Sequence, residues 1–394
     1  MTAFQKKKRK FSLIKAKMHK RKSTIYKLLT ISIKIIGLAS VLCLLLSYLS
    51  PFVNPASFWL FALFGLLYPI FLIISLLFLI LTFWRKSKLR WIILTILIIG
   101  TPLHLRYFSF GFSSEINPKE TSVKVMSYNV RLFNVYNWLN TNRAENKKQI
   151  LEFIGTKAPE VLCLQEYYVD NGSDPYITLK EVLESGSFSD YHQRLATQTS
   201  KRDYGIITLS KHPIIEKGTV VDDDADLLCI FTDVIKNKDT FRVYNTHLES
   251  IKFQQEDYDM FSEKSITNQN RFKKLKNMLG KVKSAYPKRV EQAKRIVNHA
   301  KASPFPVVIC GDFNDTPFSY VYNLFNASFS DAFRKAYFGL GRTYAGRVPA
   351  GRIDYLFYNE GFSVNNFNIQ KEILSDHYAI WSTFTFHSSE SSYK

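Results

Sequence analysis

The sequence predicts an α/β catalytic domain preceded by about three transmembrane helices, and three observations carry that reading. Long uncharged runs fill much of the chain up to Ser114, short apolar strand-like runs alternate with helix-prone stretches after it, and those later runs repeatedly end in Asn, Asp, Glu or His. Charge divides the chain at the same place. Up to Ser114 there are 17 Lys and Arg and no Asp or Glu; the other 36 basic and all 33 acidic residues follow, so the formal net charge of +20 divides into +17 and +3. A basic chain ordinarily suggests nucleic acid, but here the excess lies outside the part able to do chemistry, which is close to neutral.

Residues 6–27 carry eleven Lys and Arg, and Ile35 to Val53 then passes without a charge. A secretory signal has a similar basic start but a shorter apolar run and a small-residue cleavage site, which this stretch lacks, so a retained span is expected. Pro51, Asn54 and Pro55 mark a turn, Ala56 to Phe83 supplies 28 uncharged residues, and Arg85, Lys86, Lys88 and Arg90 form a basic loop. Trp91 to Leu105 is the third apolar stretch. The expected spans are about 35–53, 56–83 and 91–108, the third short against a hydrocarbon core of roughly 30 Å. Arg90 and Arg106 can snorkel outward there, and Tyr107 and Phe108 sit where interfacial aromatics belong. Basic residues before the first span and between the second and third place both segments in the cytoplasm. An odd number of spans through the cell (inner) membrane then puts everything after Phe112 outside, with the lipid bilayer as a partner and no obligate protein partner evident.

Cys43 lies in the first span and Cys163, Cys229 and Cys310 lie in apolar strand-like runs, without a CxxC pair, so neither structural zinc nor a cystine framework is expected. Residues 113–121, SSEINPKET, read as a polar linker dividing a tail and membrane region, 1–114, from a catalytic domain, 115–394. Val123 to Tyr128 alternates into a strand closed by Asn129, with Arg131 just beyond. Arg143 to Ile154 has helical spacing, and Val161 to Leu164 is a short apolar run ending in Gln165 and Glu166. Gly205 to Leu209 is a strand, followed by a turn at His212 and Pro213. Leu227 to Val234 and Phe241 to Thr246 read as a hairpin presenting His247. Gln255 to Ala302 is helix-prone with a break expected at Tyr286–Pro287, and 251–288 reads as an enlarged connection, either a solvated helix or a lid or lipid-facing element. Val307 to Asp315, VVICGDFND, is a buried strand closed by an Asx-rich turn. Ile353 to Tyr358 contains Asp354, and Ser375, Asp376 and His377 precede the final strand.

One Asn, one Glu, an Asp/Asn pair, a lone Asp, an Asp–His pair and a separate His make a hard, oxygen-rich ligand set with two proton carriers. Such a set suits Mg²⁺ or Mn²⁺, whereas zinc more often recruits Cys or several His. The chemistry it fits is attack by water on phosphorus.

The ordered motifs SYNVR, LQE, YGIITLSKHPI, NTHLE, GDFND, RIDYLF and SDHYAI resemble the endonuclease/exonuclease/phosphatase superfamily over about 120–387. The resemblance implies a four-layer sandwich of two packed mixed β-sheets flanked by helices, with the site at the strand ends. It implies Glu166 as principal metal ligand with Asn129 and Asp376 near the metal or its water, Asp312 orienting the nucleophile and Asn314 holding the scissile phosphate. His377 resembles the catalytic histidine paired to Asp354, and His247 a phosphate ligand or general acid. Abasic-site nucleases carry an acidic residue where this chain has Arg131, which would instead contact phosphate. The activity expected is phosphodiester hydrolysis, with nucleic acid or phospholipid as substrate. A phosphomonoesterase acting on inositol or sugar phosphates and a noncatalytic binding module of the same fold are the competing readings.

Overall fold

The computed structural model describes residues 3–113, 121–170, 175–197, 202–220, 228–251, 268–346 and 351–387. The chain forms two compact units, Met1–Tyr48 with Leu67–Gly100 and Leu49–Leu66 with Thr101–Lys394. The division expected between 114 and 115 lies outside the described residues.

Helices come first: α1 (Ala3–Leu49), α2 (Pro55–Phe58), α3 (Leu60–Leu66), α4 (Tyr68–Trp84), α5 (Leu89–Ile99) and α6 (Thr101–His104). Among the described residues one helix, Thr24–Leu49 within α1, is by itself long and apolar enough to cross a membrane. This corrects the expectation of three. The run 56–83 is not one helix, because α3 and α4 are bent by 61°. Pro69 is the cause: with no N–H to give, it is tolerated only in the first turn, so α3 stops and a new helix starts at Tyr68. The stretch 91–108 falls partly in α5, a helix of only 11 residues, before Gly100 and Pro102 interrupt it. In the second unit, α3 seats Ala62 against Val282 and Tyr286. Its Gly65 is needed there, since a Cβ would lie 2.6 Å from the Phe318 carbonyl oxygen.

The strands are β1 (Phe108–Phe110), β2 (Ser122–Asn129), β3 (Val161–Asp170), β4 (Asp190–Thr197), β5 (Arg202–Ser210), β6 (Ile214–Thr219), β7 (Leu228–Lys236), β8 (Asp239–His247), β9 (Val307–Asp312), β10 (Ser330–Asp331), β11 (Phe338–Leu340), β12 (Asp354–Tyr358), β13 (Phe362–Ile369) and β14 (Ile380–Phe386). They form two six-stranded mixed sheets, β10-β12-β9-β8-β7-β6 and β13-β14-β2-β3-β5-β4, and a two-stranded ribbon, β1-β11. Each large sheet has one parallel pair at its centre, β8–β9 and β2–β3, flanked by antiparallel neighbours. The two halves are therefore alike in topology.

Period-two alternation sorts the core. Along β9, Val308 and Cys310 face the other sheet and meet Val125, Val161 and Cys163, while Val307 and Ile309 face outward under a helical layer. That layer is α9 (Asn268–Lys301) with α10 (Tyr320–Asn326); on the opposite face α7 (Arg143–Lys157) and α8 (Leu179–Gly186) cover β2, β3 and β5. A short α11 (Ala332–Ala336) closes the edge. The result is the expected four-layer sandwich. The break foreseen at Tyr286–Pro287 does not occur, and α9 runs through Pro287. Buried Tyr286, packed with Ala62 of α3, on one side and the Arg289–Asp315 ion pair at 3.2 Å to the turn after β9 on the other hold both turns in place, which outweighs the missing backbone donor. Residues 252–267 of the expected lid lie outside the described residues. The three strand cysteines are buried and free.

Candidate active site

Asn129, His247 and Asp312 end β2, β8 and β9, and His247 stands beside Asp312 in the parallel register. Asp354 begins β12 opposite Asp312, and His377 precedes β14, which runs antiparallel to β2. The alternating strand directions thus bring residues from both sheets to one rim. Glu166 arrives differently. It occupies a β-bulge in β3, between Leu164 and Tyr167, with φ of 46°, and the bulge turns its side chain toward Asn129.

One oxygen of buried Asp312 is the hub. Its Oδ2 accepts from Asn129 Nδ2 at 3.1 Å and lies 3.6 Å from Nε2 of both His247 and His377. Its Oδ1 accepts the Asn314 backbone N–H at 2.8 Å, closing the turn. Gly311 makes this approach possible: its φ is 141°, and a Cβ there would stand 1.8 Å from the Thr246 carbonyl oxygen. Asn129 also donates to Glu166 at 3.2 Å, and His247 lies 4.0 Å from the same Glu166 oxygen.

His377 donates Nδ1–H to Asp354, whose two oxygens lie 3.1 and 3.0 Å away. Burial acts to lower the His377 pKa, but the Asp354 and Asp312 carboxylates overcome it and hold the imidazole well above its usual range. Burial raises the Asp354 carboxyl, and imidazolium at His377 opposes that. Each partner therefore favours the charged form of the other.

Not every expected residue reaches the hub. Asp376 is held by Arg131 at 2.6 Å, and Arg131 lies over the Trp138 ring at 4.5 Å. Arg131 opens a run of four left-handed residues ending at Asn134, with φ between 42° and 57°, a strained turn pinned by the buried Phe133 ring and by Tyr176 Oη on the Phe133 carbonyl. Asn314 donates its side-chain amide to the Leu248 carbonyl at 2.9 Å.

Four supporting residues escaped the sequence reading. Asn245 donates to the Leu164 and Ile207 carbonyls and accepts from Gln165 at 2.7 Å, so one buried amide ties the two sheets together directly beneath the site. Thr343 Oγ1 accepts from the backbone N–H of Ile353 and of Asp354, fixing the start of β12. The Tyr344 ring packs edge-on against His377 at 5.1 Å. Gln165 and Asn245 did sit within motifs already singled out, each next to a strand-end residue. Thr343 and Tyr344 carried no signal.

The site suits a hard cation. Glu166, a third exposed at 34 %, and buried Asp312 converge on the Asn129 amide, which now fills the place between them with its NH₂. Turning that amide about its last torsion would present its oxygen and complete an all-oxygen donor set of the kind Mg²⁺ and Mn²⁺ take. Asp312, Asp354 and His377 form a second group whose ligand atoms lie within 4.8 Å of one another. In that group the histidine is already engaged by Asp354 through Nδ1.

A sequence profile of the Endonuclease/Exonuclease/phosphatase family matches residues 126–377. A second profile, a domain of unknown function (DUF8431), matches residues 27–107. No curated protein sequence matches the chain. Among solved structures, an endonuclease/exonuclease/phosphatase from Beutenbergia cavernae DSM 12333 is 17% identical, with a TM-score of 0.49 over 68% of this chain and 72% of that one. The human Nocturnin catalytic domain with bound sulfate anion is 18% identical, with a TM-score of 0.47 over 69% of this chain and 96% of that one. Truncated Caenorhabditis elegans TDP2 is 17% identical, with a TM-score of 0.46 over 68% of this chain and 99% of that one.

Proposed function

This chain belongs to the endonuclease/exonuclease/phosphatase family, whose profile spans more than half of it, and from that premise we propose that it is a membrane-anchored phosphodiester hydrolase dependent on Mg²⁺ or Mn²⁺. The observation that supports this most is the convergence of Asn129, His247 and His377 on one oxygen of Asp312, with Glu166 beside them.

Glu166 and Asn129, with Asp376 near, would hold the cation, which neutralises charge gathering on the phosphoryl oxygens. The chain's own residues then divide the proton work. Water must lose a proton as its oxygen bonds to phosphorus, and the departing oxygen must gain one. His377, once neutral and unprotonated at Nε2, takes the first proton there: its Nδ1–H on Asp354 fixes the tautomer, and the Asp354 carboxylate compensates the imidazolium that forms. Asp312 accepts a hydrogen bond from the water and orients it. His247 supplies a proton or a hydrogen bond on the leaving-group side. Asn314 and Arg131 bind phosphate, Arg131 by exchanging or sharing its bond to Asp376.

One crossing helix preceded by ten basic residues orients the amino terminus inward and the catalytic domain outward. Nucleic acid and phospholipid headgroups share the required diester, and a panel run on the full-length protein in liposomes decides between them. Plasmid DNA, RNA, sphingomyelin, phosphatidylcholine and inositol phosphates are compared. A preference of more than about tenfold for a diester class, or about 1.4 kcal/mol in transition-state binding, is the expected result. A preference of that size for the inositol phosphates overturns the diester reading.

A further inference from the structure

The ribbon β1–β11 is turned inside out for a protein surface. Its register pairs Phe108 with Leu340, Ser109 with Gly339 and Phe110 with Phe338, so the four large apolar side chains share one face and Ser109 and Gly339 share the other. A ribbon lying on a soluble domain puts its apolar face inward. Here the small, polar face is inward: Ser109 is buried and its Oγ donates to the Arg334 carbonyl at 3.1 Å. The rings point out, with Phe110 58%, Phe338 60%, Leu340 68% and the adjoining Phe112 77% exposed. They form one cluster, since the ring centroids of Phe108, Phe110 and Phe112 lie 5.8, 6.0 and 6.0 Å from that of Phe338.

We propose that this aromatic face seats in the interfacial layer of an anionic lipid bilayer and holds the catalytic rim against the membrane surface. Three observations choose the bilayer as occupant. Exposed cations adjoin the ribbon in sequence and contact: Arg334 and Lys335, whose backbone lies against Ser109 and Gly111, and Arg342 just beyond β11. Aromatic rings ringed by Lys and Arg match the headgroup region of an anionic leaflet. Next, eight residues separate the apolar helix α5, ending at Ile99, from Phe108. Last, β11 leads within four residues to Tyr344, which packs on His377, a reach of at most about 14 Å. Membrane contact at Leu340 therefore lies close to the catalytic histidine.

The test reads position and not turnover, so it stands or falls apart from the hydrolase reading. Full-length protein carrying Cys43→Ser is labelled with an environment-sensitive fluorophore at Phe112→Cys or at Leu340→Cys, each of which leaves the Phe110 and Phe338 rings in place. Ile215→Cys, an exposed position on edge strand β6, is the reference. In nanodiscs of phosphatidylcholine with phosphatidylglycerol, both ribbon labels are expected to emit blue-shifted light, to be quenched by brominated lipid and to resist aqueous iodide severalfold better than the reference. Arg334→Gln with Lys335→Gln weakens that protection. Ribbon labels as accessible to iodide as the Ile215→Cys label overturn the proposal. Protection that rises with the number of copies per nanodisc also overturns it, assigning the face to a second copy of the chain.

Discussion

His377 and Asp354 lie 23 positions apart in sequence and meet at 3.0 Å, one just before β14 in the sheet that holds β2 and one at the start of β12 in the other. Their contact joins the two halves of the sandwich at the rim. Replacing His377 by Ala is expected to lower kcat by about 10²- to 10⁴-fold, the ordinary contribution of a general base. Metal affinity, measured by calorimetry, should change little. Asp354→Asn is expected to lower kcat as well, because the amide no longer compensates imidazolium. An unchanged rate in His377→Ala removes that residue from proton transfer.

Asn245 has a structural task that the rim depends on. Truncation to Ala removes the Asn245 amide from the Leu164 and Ile207 carbonyls in a buried space, while the Gln165 amide keeps Ser127 and the Cys163 carbonyl. The expected loss of stability is about 3 kcal/mol or more, since each orphaned group costs roughly 1–3 kcal/mol. Chemical denaturation of the full-length protein measures it, and a loss below about 0.5 kcal/mol, as at an ordinary surface site, contradicts the role.

A second inter-sheet contact should make stability depend on pH. His192 on β4 meets Thr232 on β7 at 3.2 Å, and burial, with Lys217 adding, pushes its pKa down to about 4. The folded-state value lies below that of the unfolded chain, roughly 6.5. Stability from neutral His192 is therefore fully present above about pH 6.5 and is lost as pH falls toward 4, because the unfolded state binds the proton more readily. Denaturation midpoints across that interval should fall, and His192→Gln should flatten the slope. An identical slope in the variant contradicts the assignment.

Topology limits which substrates the site meets. With Thr24–Leu49 as the crossing helix, alkaline phosphatase fused after Pro118 in a bacterial host should be active, since that reporter matures only after export. If the bent pair α3–α4 also crosses, the count becomes even and the fusion is silent while a cytoplasmic reporter at the same point is active.

The sequence displayed the strand-end residues because period-two burial is local: Val307 to Cys310 alternates between two cores, and Asp312 must follow. Both sheets could be anticipated from such runs. The broken second span could not be read from hydropathy, which counts apolar atoms and ignores that Pro69 lacks a donor. Asn245 was hidden because a buried amide in a strand looks like any polar residue until its carbonyl partners arrive from the other sheet. The pairing of Phe108 with Leu340 spans more than half the chain, so no local pattern announced it. Arg131 was expected on phosphate, and its bond to Asp376 depends on four left-handed residues that propensity disfavours.

Metal-dependent hydrolysis of bis-p-nitrophenyl phosphate by the full-length protein tests the central claim most directly. The whole chain is needed, because Leu49–Leu66 and β1 belong to the catalytic unit. Turnover is expected with Mg²⁺ or Mn²⁺, to vanish after exhaustive treatment with EDTA and to return when metal is restored, with Glu166→Gln requiring more metal for the same rate. Turnover that survives complete chelation, or none at all with either metal present, contradicts the account.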